Sequence, residues 1–118
     1  YPLRRQRQMC IRDSLTAAYE RYKKPIFLSE TGHFGEGRVP WLEEISEQCR
    51  IVLKNGIDFQ GICIYPVTDR PDWDDLSAYS QCGLYDLDIH GNRIPHQESI
   101  ACLQKEISIL DQHLIFST

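Results

Sequence analysis

Along residues 15–114 the apolar positions fall into blocks with different periods. Leu15, Ala18, Tyr19 and Tyr22 recur at three-to-four spacing. That is one face of a helix, which stops before Pro25 because a proline disfavours helical geometry in the residue ahead of it. Pro25-Ile26-Phe27-Leu28 is continuous rather than alternating, so residues 25–30 predict a buried strand of a parallel sheet. Gly32, Gly35 and Gly37 mark a loop, and Pro40 is suited to open the next helix. In that helix Trp41, Leu42, Ile45, Cys49, Val52 and Leu53 share a face, and Asn55-Gly56 supplies a stop. Its opposite face, with Glu43, Glu44, Glu47 and Arg50, is expected to meet solvent. Residues 59–65, "FQGICIY", predict a second buried strand. A long polar loop, "PVTDRPDWDDLSAYSQ", then leads to "CGLYDLD" and a turn signal, "HGNR". The last helix is expected over about 96–114, burying Ile100, Leu103, Ile107, Leu110 and Leu114.

The order helix, strand, helix, strand, loop, helix predicts a βαβ unit around a parallel sheet, an α/β fold. Two parallel strands cannot cover their own edges. The pattern therefore reads as a slice of a larger α/β architecture. An apolar content of 42% and a charged content of 25% are those of a globular protein. No apolar run approaches a membrane span, and no secretory leader is expected because no apolar stretch comes after the basic start.

The net charge of −4 is unevenly distributed. Residues 1–14 carry Arg4, Arg5, Arg7 and Arg12 against Asp13, a net +3, which leaves −7 on the rest. A net-acidic body argues against nucleic-acid binding. The first fourteen residues, "YPLRRQRQMCIRDS", break in composition from the rest of the chain and show no apolar period. "RRQRQMCIRDS" resembles the conceptual translation of sequencing-adapter read-through. Residues 1–14 are accordingly expected to be a foreign, irregular segment, with 15–118 the domain proper. Of the five cysteines, Cys49, Cys63 and Cys102 sit among apolar residues and are expected to be buried thiols of a reducing, cytoplasmic setting. His33, His90, His96 and His113 show no metal-ligand spacing, and the acids of "DWDD" lack the alternation of a calcium loop. Neither a metal nor a cofactor is expected.

Candidate chemistry gathers at the C-terminal ends of the two strands, the edge where α/β folds place ligands. The first strand ends in Glu30, with His33 three residues on. The loop after the second offers Tyr65, Asp69, Asp72, Trp73, Asp74 and Asp75. Tryptophan stacks on the apolar face of a pyranose, and carboxylates accept hydrogen bonds from its hydroxyls, so the combination suits a sugar. Phosphate-binding glycine loops and a G-x-S-x-G elbow are absent. A turn or capping carboxylate is the plain alternative for Glu30, and a rim anchor for Trp73.

"KPIFLSETG", "GICIYPVTDRPDW" and "CGLYDLDIHGNRIP" resemble the C-terminal quarter of clan A glycoside hydrolases, above all the family 1 β-glucosidase group. The resemblance covers about residues 15–114. It implies part of a (β/α)8 TIM barrel, from its sixth helix through its seventh and eighth strands to its eighth helix. It implies a retaining O-glycosyl hydrolase acting on a carbohydrate substrate. On this resemblance Glu30 falls on the nucleophile, while Tyr65, Asp69 and Trp73 fall on sugar-binding positions. His33, from its place three residues after Glu30, is expected to line the site, the alternative being an exposed loop residue. Three departures bear on which sugar is accepted: Thr31 where the family's E-N-G has asparagine, Tyr65 where it usually has tryptophan, and an Asp-rich loop with Pro66 and Pro71. The family's frequent cis peptide after this aromatic is expected at Tyr65-Pro66, where proline lowers its cost by about 2 kcal/mol.

Retention needs a second carboxyl about 5–5.5 Å from the first. The resemblance places it on a fourth strand that this chain lacks, and Glu36 is a poor substitute. The isolated chain is therefore expected to be inactive. Two other readings remain open: a non-catalytic carbohydrate-binding or interaction relic of the same fold, and a different α/β enzyme using Glu30 as a general base.

Overall fold

The computed structural model describes residues 2–116, with side chains over 10–112. Helix α1 spans Pro2–Tyr22. Lys23 then takes a left-handed φ of 49° and ends it. Strand β1 spans Ile26–Thr31, and a 3₁₀ turn, Gly35–Gly37, leads into helix α2, Arg38–Lys54. Strand β2, Phe59–Ile64, is followed by two small hairpins and helix α3, Gln97–Phe116. The hairpins pair β3, Arg70–Pro71, with β4, Tyr79–Ser80, and β5, Tyr85–Leu87, with β6, Arg93–Pro95. The expected helices and parallel strands are thus present, and the long polar region is more structured than its composition indicates.

β1 and β2 pair in parallel, with Ile26 opposite Phe59, Leu28 opposite Ile62 and Thr31 opposite Ile64. The helices cover one face of this sheet. Leu15, Ile45, Cys49, Val52, Ile57 and Phe59 form the core, with Ile26, Leu28 and Ile62 packed against it. Burying such side chains supplies the main folding force, on the order of 2 kcal/mol for each aliphatic or Phe side chain. α2 lies between α1 and α3 and contacts both. The other face of the sheet is open, exposing Phe27 and Cys63. Among the described residues the sheet stops at two strands. Beside the free edge of β2 runs an apolar groove of about 350 Å³, walled by residues such as Leu53, Phe59, Leu103, Ile107 and Leu110.

Several expectations are corrected. Residues 2–14 are helical and continuous with 15–22. They hold good helix formers, with no glycine and no proline after the first position. Ile11 packs on the core, and Arg12 Nε donates to Gln48 Oε1 at 3.0 Å. Glu44 is buried rather than solvent-facing, and Arg50 pairs with buried Glu106 of α3. In α3 the buried line is Ser99, Cys102 and Glu106, whereas Ile107 is 48% exposed along the groove. Leu114 lies outside the described side chains. Cys63 is exposed and Cys82 takes its place among the buried thiols, all five cysteines being free.

Candidate active site at the strand ends

A cleft of about 380 Å³ opens at the C-terminal ends of β1 and β2. That volume lies within the range of small-ligand sites. Glu30, His33 and Tyr65 line it together, with Thr31, Gly32, Phe34, Pro66, Arg70 and Cys82 completing the wall. Three of the five expected site residues therefore meet in one place, although they come from two elements separated by a helix.

An irregularity in β1 presents Glu30. Strict alternation from Leu28, which faces the helices, would turn Glu30 towards them as well. The register shifts between Leu28 and Thr31. Thr31 instead turns to the helix side, is buried, and its Oγ1 accepts a 2.7 Å bond from Trp41 Nε1. Glu30 is left exposed at the cleft. This reverses the parity implied by simple alternation, in which Ile26 and Leu28 would share Glu30's face and Phe27 would meet the helices. β2 is irregular as well: Phe59 and Ile62 both meet the core, with a register shift between their pairs, and beyond Ile62 Cys63 and Tyr65 are exposed on the open side.

Tyr65 is fixed beside Glu30 by backbone. Its N–H donates to the Thr31 carbonyl at 3.0 Å, and the Tyr65-Pro66 peptide is cis, as expected. Gly32 allows this approach: a Cβ there would lie 2.1 Å from the Tyr65 carbonyl oxygen, which no other residue tolerates without backbone movement. His33 is set by local contacts. Its Nδ1 accepts the Phe34 N–H at 2.8 Å, and its ring lies 6.0 Å from that of Trp41.

Asp69 and Trp73 stand apart from the cleft. Asp69 is 6% exposed, and its carboxylate is saturated by backbone donors: Cys82 N and Gly83 N at 2.9 Å to Oδ1, and Leu87 N at 3.2 Å to Oδ2. A carboxylate so occupied clamps a loop and has little left to offer a sugar hydroxyl. Trp73 is 80% exposed, beyond the cleft wall, with the Arg70 guanidinium 5.9 Å from its ring. Asp72 and Asp75 accept backbone N–H groups within their own turns, and Ser77 holds the Asp75 carboxyl below its ordinary pKa. Among the described residues no cluster of His, Cys, Asp or Glu fits a metal ion.

Two arginines were missed by sequence reasoning. Buried Arg38 donates through Nη1 to Asp86 Oδ1 at 2.7 Å and Gly83 O at 2.9 Å, and through Nε to Gly35 O at 2.8 Å. It ties the loop after β1 to the β5–β6 hairpin. Arg70 lines the cleft; its only sequence signal is a lone cation between Asp69 and Asp72. Among the described residues Glu30 is the one carboxylate on the cleft wall. No second acid stands ready there, and Glu36 lies off the wall.

No protein-family model matches the sequence, and no curated protein matches it. Solved structures do. A β-glycosidase from Thermosphaera aggregans superposes with a TM-score of 0.72 at 17% identity, over 85% of this chain and 21% of that one. A β-glycosidase from Pyrococcus horikoshii gives 0.69 at 19%, over 84% and 24%. A family 1 β-glucosidase from Thermotoga maritima in complex with isofagomine lactam gives 0.69 at 17%, over 78% and 24%. At such identities the likeness is one of fold. This chain has the α/β fold of a segment of these enzymes and spans about a quarter of their length.

Proposed function

We propose that the chain is the C-terminal quarter of a retaining β-glycosidase, from the sixth helix to the eighth of a (β/α)8 barrel, with Glu30 as nucleophile. The observation that carries this reading is the placement of Glu30. It stands at the end of a parallel strand, in a cleft shared with Tyr65 from the next strand end, within a fold common to β-glucosidases. The free edges of the sheet and the apolar groove beside β2 are surfaces that further barrel units would cover. Residues 1–14 are foreign on this reading, which rests on their adapter-like sequence alone. Five free thiols accord with a cytoplasmic setting.

In this mechanism Glu30 attacks the anomeric carbon as the leaving oxygen is protonated, giving a glycosyl-enzyme that water then hydrolyses. Tyr65 and His33 contact the sugar. The proton donor comes from the missing part of the barrel, so the isolated chain binds without turning over. Asp69 acts here by holding the loop rather than by touching substrate.

The test is to sequence the locus upstream of Leu15 from source DNA and to express the complete barrel. Aryl β-glycosides should be hydrolysed with retention. Glu30→Ala should lower kcat by on the order of 10⁴-fold, and azide should restore turnover with an α-glycosyl azide as product. Full activity in Glu30→Ala would sink the nucleophile assignment. An upstream region encoding "RRQRQMCIRDS" after a genuine start codon would sink the barrel reading.

A further inference from the structure

We propose that Trp41 is a positioning residue of the cleft. Its indole N–H, held by the Thr31 hydroxyl, keeps the end of β1 out of regular alternation and so turns Glu30 to the open side. The consequence for catalysis rests on the glycosidase reading above; the geometry at the strand end does not.

Regular alternation would put Glu30 on the side of Leu28, against the helices. Instead Ser29 and Glu30 are exposed one after the other and Thr31 is buried, where the register with β2 shifts. Irregularities of this kind re-aim a side chain beside a site. Thr31 is pinned through both its polar groups. Its carbonyl accepts the Tyr65 N–H at 3.0 Å, and its Oγ1 accepts Trp41 Nε1–H at 2.7 Å. Returning β1 to alternation would carry the hydroxyl away from α2 and break that second bond, because one residue of slip moves a side chain to the other face.

Trp41 stands in the first turn of α2, so the donor is set by a helix and not by the loop it holds. Its ring also lies 6.0 Å from that of His33, within the range of packed aromatic pairs. Gly37 leaves room for this imidazole, since a Cβ there would come 2.4 Å from its Nδ1. One side chain of α2 thus braces both site residues that flank Thr31-Gly32: Glu30 through the backbone, and His33 through its ring.

The test uses the 118-residue chain. Thr31→Val removes the acceptor at nearly constant shape. Trp41→Phe removes the donor and keeps a ring beside His33. A double variant removes both, and Thr31→Ser keeps the acceptor. NMR Cα and Cβ shifts of Ser29 and Glu30 read the backbone of the irregularity in the folded state, which a simple loss of stability does not move. Exchange of the Tyr65 amide, relative to Cys49 and Val52 in α2, reads how often the strand ends part. Each single variant should move the Ser29 and Glu30 shifts towards regular strand values and speed Tyr65 exchange about fivefold or more. The double variant should exchange no faster than the faster single one, and Thr31→Ser should match the wild type. In the complete barrel both single variants should lower kcat about tenfold or more with KM within about twofold.

Unchanged shifts and exchange in a folded Thr31→Val or Trp41→Phe overturn the proposal. So do effects that add in the double variant, since they would not come from one shared bond. If Trp41→Phe does not fold, Thr31→Val against Thr31→Ser decides alone. Altered shifts with kcat kept in the complete barrel overturn the positioning role and leave Glu30 as nucleophile. Full activity of Glu30→Ala in that barrel overturns the nucleophile reading, while the NMR result still decides the lock at the strand end.

Discussion

The loop after β1 and the loop after β2 both rise from the C-terminal end of a parallel strand, yet they are held by different means. The first, residues 32–37, is ordered mostly by near neighbours: Phe34 N–H on His33 Nδ1, the 3₁₀ turn, and Arg38 reaching back to Gly35, with one long-range bond from Gly35 N–H to the Gln81 carbonyl at 2.7 Å. The second, residues 65–96, is ordered by charges buried far apart in sequence. Asp69 gathers the amides of Cys82, Gly83 and Leu87, and Arg38 grips Gly83 and Asp86 across more than forty residues. Where a charged side chain closes a loop, it is withdrawn from the ligand. Asp69 and Arg70 are adjacent in sequence, and one is spent on three backbone amides while the other lines the cleft.

Breaking the joint between the loops should have the largest effect. Arg38→Met leaves Asp86 and two carbonyls without their partner, and should cost about 3–5 kcal/mol in urea denaturation. A loss below about 1 kcal/mol would mean that the loops are independent. Asp69→Ala strands three buried amides and should cost about 3 kcal/mol. Hydrogen exchange should then rise at Cys82, Gly83 and Leu87 while Phe34 keeps its protection. Equal loosening of both loops would contradict the division drawn between them.

Gly32→Ala tests the contact between the strand ends. The new methyl meets the Tyr65 carbonyl, and overpacking of this kind costs about 1–3 kcal/mol. The amides of Tyr65 and Glu30 should shift together in NMR spectra. Smallest in energy is an order of thiol reactivity at about pH 8. Exposed Cys10 and Cys63 should be labelled first, and Cys49 last, because burial pushes its thiol up to about 12 and the thiolate is the reactive form. Cys82 should join the fast group only in Asp69→Ala. Its early labelling in the wild type would show that the second loop opens without help.

Much of the fold is legible along the chain. The continuous runs at Ile26–Leu28 and at 59–65 become the two parallel strands. Leu42, Ile45, Cys49 and Val52 become the inward line of α2, and Gly56 takes the left-handed φ of 82° that ends it. That Glu30, His33 and Tyr65 share one cleft is legible because each lies at or just past a strand end. The helix over 2–14 escapes a search for an apolar period, because Arg, Gln and Leu favour a helix without one. The roles of Asp69 and Arg38 left no local trace, since all their partners except Gly35 are thirteen to forty-eight residues away.

The sequence by itself determined the helices from Leu15 onwards and the two parallel strands, and that the candidate chemistry sits at one edge of the sheet. Those outcomes arise from local period, proline and glycine, which act within a few residues. Only the tertiary structure decided which charged side chains remain for a ligand. Asp69 and Arg38 are consumed and Glu30 and Arg70 are left at the cleft. A buried donor or acceptor is satisfied by whatever the folded chain brings within about 3 Å, and nothing local in sequence specifies that partner.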